Sequence, residues 1–396
     1  MRYLKVLCVF AVAALAAVLL VACGSSSSNT TGEGGGGGGE EASGGSLNIL
    51  SWDGYDEPEW LKQFESETGI SVTSTSVGSP AEMFAKVKAS PSQYDIVLAT
   101  AGWFPQYVEA GLLEPIDEGK VPAMKDIKLG FPWEEATSVE GTLYGILYNW
   151  GNQALAWLPE EIKGLDLSKY ENSKGELDDW NVFWDPALKG KVSIFDDPTS
   201  VEPMIGLALG FKNPYQLNEK QFEEFEKKLL ELRPQVKRLT TGYDDQIAQL
   251  QSGEASVAYL NIISIAAALK QEGTTLDVNN LVKQGVPAWS DNLAITKEGG
   301  GSNLDAVYKF INASLDRKWQ ARFIATTANS GTLNYEQATS QEAKAAGLTP
   351  AKLEETLIPE TRQGEAFFSK QLFFQPVEDL QKRLNLWNEF KLGIEG

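Results

Sequence analysis

From Ser46 onward, short β-branched apolar runs alternate with amphipathic stretches, and that alternation restricts the fold more than any other feature of the chain. LNILSW (47–52), ISVTSTSV (70–77) and YDIVLATA (94–101) read as strands. Between the first two, Trp60, Leu61 and Phe64 recur at helical spacing. Ser79 followed by Pro80 opens a second helix, as an N-cap with proline at the first helical position. A β-α-β-α-β order predicts a largely parallel sheet covered by helices, with ligands outside the carboxyl ends of the strands. A second region begins near Tyr144. It holds the strand-like TLYGILYNW and KVSIFDD, a charged helix over 218–232 with Phe222, Phe225 and Leu229 on one side, a helix over 243–252, and the short strand ASVAYL. DNLAIT, helices over 304–314 and 317–329, and a last helix over 376–391 complete the pattern. Two α/β regions predict two lobes, and a cleft between lobes is a favoured small-molecule site.

Composition removes several chemistries. The 396 residues contain no histidine, so no Ser-His-Asp or Cys-His relay and no imidazole base can be built. Cys8 and Cys23 are the only cysteines. Cleavage after residue 22 would leave one thiol, which forms neither an intrachain disulfide nor a cysteine metal site. With 34 Lys and Arg against 54 Asp and Glu, the formal net charge is −20. That argues against nucleic acid as a partner, because phosphate binding needs clustered bases. An acidic surface suits a cationic ligand but more often only keeps a protein in solution.

The N-terminus supplies the compartment. Arg2 and Lys5 precede an apolar run over 6–21, too short for a comfortable membrane span and followed by Ala22, Cys23 and Gly24. Leu20-Val21-Ala22-Cys23 resembles the bacterial lipobox, which implies lipidation of Cys23 and removal of residues 1–22 as a lipoprotein signal peptide. The alternative is an uncleaved anchor helix. Residues 23–45 are rich in glycine and serine and lack large apolar side chains, so they read as a tether.

The body from Leu47 to Gly393 resembles the solute-binding proteins of polyamine (spermidine/putrescine) ABC transporters. LNILSWDGYDEPEWLKQFESETGISV carries Trp52 and Tyr55 at that family's Trp-x-x-Tyr positions, and YDIVLATAGWFPQYVEAGLLEPID, TLYGILYNWGNQAL, WDPALKGKVSIFDD, AWSDNLAIT and FFQPVEDLQKRLNLWNEFKLG follow in the family's order. The resemblance implies a two-lobe α/β fold of the periplasmic-binding-protein type (type II), with two crossover strands and the ligand between the lobes. Lobe one would span 46–146 plus 291–332, and lobe two 147–290 plus 333–396. It also implies an extracytoplasmic carrier, lipid-anchored and monomeric, that hands a small cationic solute to an ABC permease and uses no enzyme chemistry, cofactor or metal.

A polyamine needs carboxylates for its ammonium groups and aromatic faces for its methylenes. By resemblance, Trp52 and Tyr55 form an aromatic wall, with Asp53 between them in place of another polar residue. Thr100 is a ligand-contacting hydroxyl, and Trp103 stands near a family tyrosine. Asp197 holds a terminal ammonium, with helix N-capping as its competing role. Trp289 and Asp291 stack on and pair with the amine, and Gln375 assists at its end. Three positions depart from the family: Ser200 replaces an acid, Asn261 a tryptophan and Ser330 a tyrosine. The alternatives are the same carrier role for a sugar, amino acid or betaine-like cation, and a glycosidase built on two carboxylates.

Overall fold

The computed structural model describes residues 45–377 and 379–394. The expected signal peptide, Cys23 and all but the last residue of the expected tether lie outside the described residues.

Two sheets organise the body. In the first, the strands Ser46–Trp52, Ser71–Val77 and Ile96–Thr100 run parallel, with Ser46–Trp52 between the other two. Their residues are mostly β-branched or apolar, and Ile96–Thr100 is buried along its whole length, as a strand covered on both faces should be. The helix Pro58–Thr68 buries Trp60, Leu61 and Phe64 and ends at Gly69, whose φ of 70° lets the chain turn back. Ser79 caps the helix Pro80–Ala89 by accepting from the Glu82 backbone N–H.

The chain leaves this sheet through Gly145–Asn152 and returns through Val286–Thr296. These two crossing strands pair antiparallel with each other, and Val286–Thr296 also pairs with Ile96–Thr100. Between the crossings, Leu155–Trp157, Val192–Ser193, Val257–Tyr259 and Asp277–Asn279 form the four-stranded second sheet. The architecture is two α/β lobes joined by crossing strands. Among the described residues no helix is long and apolar enough to cross a membrane.

Each sheet carries its own apolar core, and the cores differ from the expected lobe bounds. The breaks at 146/147 and 290/291 both fall inside crossing strands. Leu333, Leu348, Leu357, Ile358 and Phe367 pack into the first core, whereas the resemblance implies lobe two for 333–396. Only the end of that stretch joins the second core, where the helix Leu380–Leu392 buries Leu386, Trp387 and Phe390. The physical reason is that short leucine-bearing helices suit either core, and their sequence does not record which one the chain path reaches.

Candidate functional site

A cleft of about 820 Å³ lies between the lobes. The C-terminal residues of the three parallel strands, Trp52, Val77 and Thr100, all reach it. Trp52, Asp53, Tyr55, Thr100, Asp197, Trp289 and Asp291 line it together, drawn from segments far apart in sequence. Asp53, Glu57, Asp196, Asp197, Asp244, Asp245 and Asp291 give it seven carboxylates, and no lysine or arginine lines it. Lys391 holds Asp196 at 3.1 Å and Arg238 holds Asp245 at 2.8 Å. The other five have no ion-pair partner among the described residues.

Asp291 sits on the second crossing strand, in register with Thr100. Thr100 Oγ1 donates to its Oδ1 at 2.7 Å, and Tyr55 Oη donates to its Oδ2 at 2.8 Å. Burial raises this carboxyl to about 7, against the pull of the hydrogen bonds from Thr100 and Tyr55. Tyr55 is itself core-packed: its ring centroid lies 5.3 Å from that of Phe323, and Asn149 Nδ2 donates to its hydroxyl at 2.6 Å. It therefore serves the core and the cleft at once.

Asp197 performs the capping role and still faces the cleft. Its Oδ1 accepts from Thr199 N at 3.0 Å, at the start of the helix Pro198–Ala208, and its Oδ2 accepts from Ser200 Oγ at 2.5 Å. Burial raises its pKa, and the Ser200 and Thr199 hydrogen bonds oppose that rise. Ser200 thus supports the acid instead of adding a second one. Glu202 does not substitute for it. That side chain is buried away from the cleft, 3.4 Å from Arg383 Nη1, and its own carboxyl is raised to about 8 by burial.

Trp289 contributes its ring from the second crossing strand and lies against Gly151 of the first. A Cβ built on Gly151, its register partner, would lie 2.5 Å from Trp289 Cζ2, so only glycine admits the ring there.

Trp103 and Gln375 are not brought into the cleft. They line a separate cavity of about 20 Å³ beside it, with Tyr215 and Phe374. Trp103 precedes the helix Phe104–Glu109 and packs on Phe84 at 5.8 Å, which turns its ring into the first lobe. Gln375 Oε1 accepts from Asn213 at 3.0 Å.

Sequence reasoning missed Tyr243, Asp244, Asn329 and Gln153, all of which line the cleft. Gly242, at φ 109°, delivers the first turn of the helix Tyr243–Gln251 and its two acids to the opening. A glycine before two acids at a helix start was a usable signal. Asn329 follows Ala328, a non-glycine residue at φ 53° that ends the helix Arg317–Thr327. Gln153 left no trace in the pattern. The arrangement as a whole is a negatively charged slot with aromatic walls, suited to an elongated cation. Among the described residues no cluster of three or more acids or thiols is placed to hold a metal ion.

Comparison with known proteins adds a family. The profile described as bacterial extracellular solute-binding protein matches residues 59–351. The putrescine-binding periplasmic protein SpuD of Pseudomonas aeruginosa is 27% identical over 275 residues, covering 67% of this chain and 72% of that protein. The spermidine/putrescine ABC transporter substrate-binding protein PotD of Streptococcus pneumoniae shares the fold with a TM-score of 0.65 at 20% identity, over 89% of this chain and 100% of that one. The PBP MotA of A. tumefaciens B6, solved in complex with glucopine, gives 0.66 at 17% identity, over 88% and 99%.

Proposed function

This chain belongs to the bacterial extracellular solute-binding proteins, and we propose that the solute it captures is a polyamine of the putrescine or spermidine kind. The coarser role follows from the family: a non-enzymatic, extracytoplasmic component that delivers a small solute to an ABC transporter. The observation that carries the finer reading is the charge of the cleft, with seven carboxylates and no lysine or arginine among the lining residues. In this reading Asp197 and Asp291 pair with ammonium groups, while Trp52, Tyr55 and Trp289 cover the methylenes. Asp53 adds charge at the opening, and Trp103 and Gln375 support the wall from behind. Relatives named for putrescine support the same class of ligand. Cys23 attaches the lipid that keeps the carrier beside its permease.

Titration calorimetry of the body with putrescine and spermidine tests this. We expect saturable binding, and Asp197→Asn and Asp291→Asn each to weaken it by about tenfold or more, the loss expected for a charge-assisted hydrogen bond. Absence of heat and of any thermal shift at millimolar amine would overturn the polyamine reading. A second reading, another small solute, is favoured by Ser200 and Asn261 standing where the resemblance expects an acid and a tryptophan. A ligand whose affinity survives both Asp→Asn changes would support it.

A further inference from the structure

Gln153 has so far been given no role. It is 2% exposed, lines the cleft, and stands where the first crossing strand ends. Its backbone N–H donates to Pro287 O on the second crossing strand at 2.9 Å. Its side-chain amide meets the hydroxyl of the fully buried Tyr259. Tyr259 Oη lies 2.7 Å from Gln153 Oε1 and 2.7 Å from the backbone carbonyl oxygen of Ser200.

A phenol carries one proton, and a backbone carbonyl can only accept. With the amide oxygen toward the phenol in this way, three oxygens share a single proton and one of the two 2.7 Å contacts is repulsive, so the two ends of the amide are exchanged on hydrogen-bonding grounds. The proton therefore goes to Ser200 O, and the group facing the phenol oxygen from the other side is the Gln153 NH2. The two ends of an amide have nearly the same size, so hydrogen bonding decides which is which. This orientation turns Gln153 Oε1 away from Tyr259. That end of the amide has no hydrogen-bond partner among the described residues, and the space beside it is the cleft.

We infer that Gln153 is a neutral ligand acceptor, its oxygen fixed by Tyr259, which takes a hydrogen bond from an N–H of the bound cation and so selects protonated amines over quaternary ammonium ions. The inference rests on the amine reading proposed above. Carboxylates attract any cation at a distance, with or without an N–H. A carbonyl oxygen discriminates, because a trimethylammonium group has no N–H and leaves the buried oxygen desolvated and unpaired. Tyr259 is the positioning residue. By accepting the amide NH2 and donating to Ser200 O, it ties the crossing to the turn that carries Asp197.

The test is calorimetry with two probes, putrescine and its bis-trimethylammonium counterpart, on the wild type, Gln153→Met and Tyr259→Phe. Wild type is expected to prefer putrescine. Gln153→Met should weaken putrescine by about tenfold or more while moving the quaternary probe by less than about twofold, so the preference collapses. Tyr259→Phe, which frees the amide to rotate, should reduce the same preference by a smaller factor. Ligand-free melting curves close to wild type confirm that both variants fold. A wild type that binds neither probe overturns the polyamine reading itself. A wild type that binds putrescine, with a folded Gln153→Met that keeps its preference or loses both probes equally, overturns the Gln153 assignment alone. Should Gln153→Met fail to fold, an unchanged preference in Tyr259→Phe overturns it as well.

Discussion

Asp291 is buried, receives hydrogen bonds from two hydroxyls and has no cation beside it. Its carboxyl sits at about 7 in the folded chain against an ordinary 3.8, so between those values the folded state keeps a proton that the unfolded chain has released. Stability contributed by that proton is present at low pH and is lost as pH rises through the window. Glu202, at about 8, acts in the same direction, so the variant separates the two better than the wild-type profile does. At pH 5, Asp291→Asn replaces a neutral carboxyl by a near-isostere and should change the ligand-free melting temperature little. At pH 8 it removes a buried charge and should stabilise the protein by a few kcal/mol. Equal shifts at the two pH values would show that Asp291 carries no such burden. At this scale the sequence was informative where an acid or aromatic stands at or just beyond a strand, as at Trp52 and Asp197, while Asp291, which lies within a strand, came from the resemblance. It was silent on Gln153, whose meaning depends on Tyr259, a partner 106 residues away.

The helix Pro198–Ala208 depends on its first residue's neighbour. Asp197 caps it, and Pro203 inside it removes one backbone donor, so the N-terminal bonds matter more than usual. Asp197→Asn keeps a good cap and Asp197→Ala does not, while both abolish the charge. The alanine variant should therefore be less stable than the asparagine variant by about 1 kcal/mol, read from urea midpoints without ligand. Coincident midpoints would mean that the cap contributes nothing. Helices were the most legible elements: the one read from the spacing of Trp60, Leu61 and Phe64 is Pro58–Thr68, and the one expected over 317–329 is Arg317–Thr327, ended early by the left-handed Ala328. The ladder between the crossing strands was not legible. Each strand reads as an apolar run, and nothing in the run of Gly145–Asn152 names Val286–Thr296 as its partner. The stretch 333–368 failed for a related reason, since its apolar residues fit either core.

At the scale of the molecule, the proposal joins an anchor, a tether and a two-lobe body. Cys23→Ser offers no thiol for a lipid, so the protein should shift from the membrane fraction to the soluble fraction while the amine affinity of the body stays unchanged. Retention in the membrane fraction would argue against attachment at Cys23. The body's three passages between lobes lie side by side: Gly145–Asn152 and Val286–Thr296 pair with each other, and Gln371–Phe373, on the way to the last helix, pairs with Val286–Thr296. Strands joined in this way resist sliding, because a slip of one residue breaks the ladder and exchanges the side chains facing the core. What is left to the lobes is swinging about a single line, as a door swings on its pins. On the proposed carrier role, a permease touching both lobes would have one angle to read.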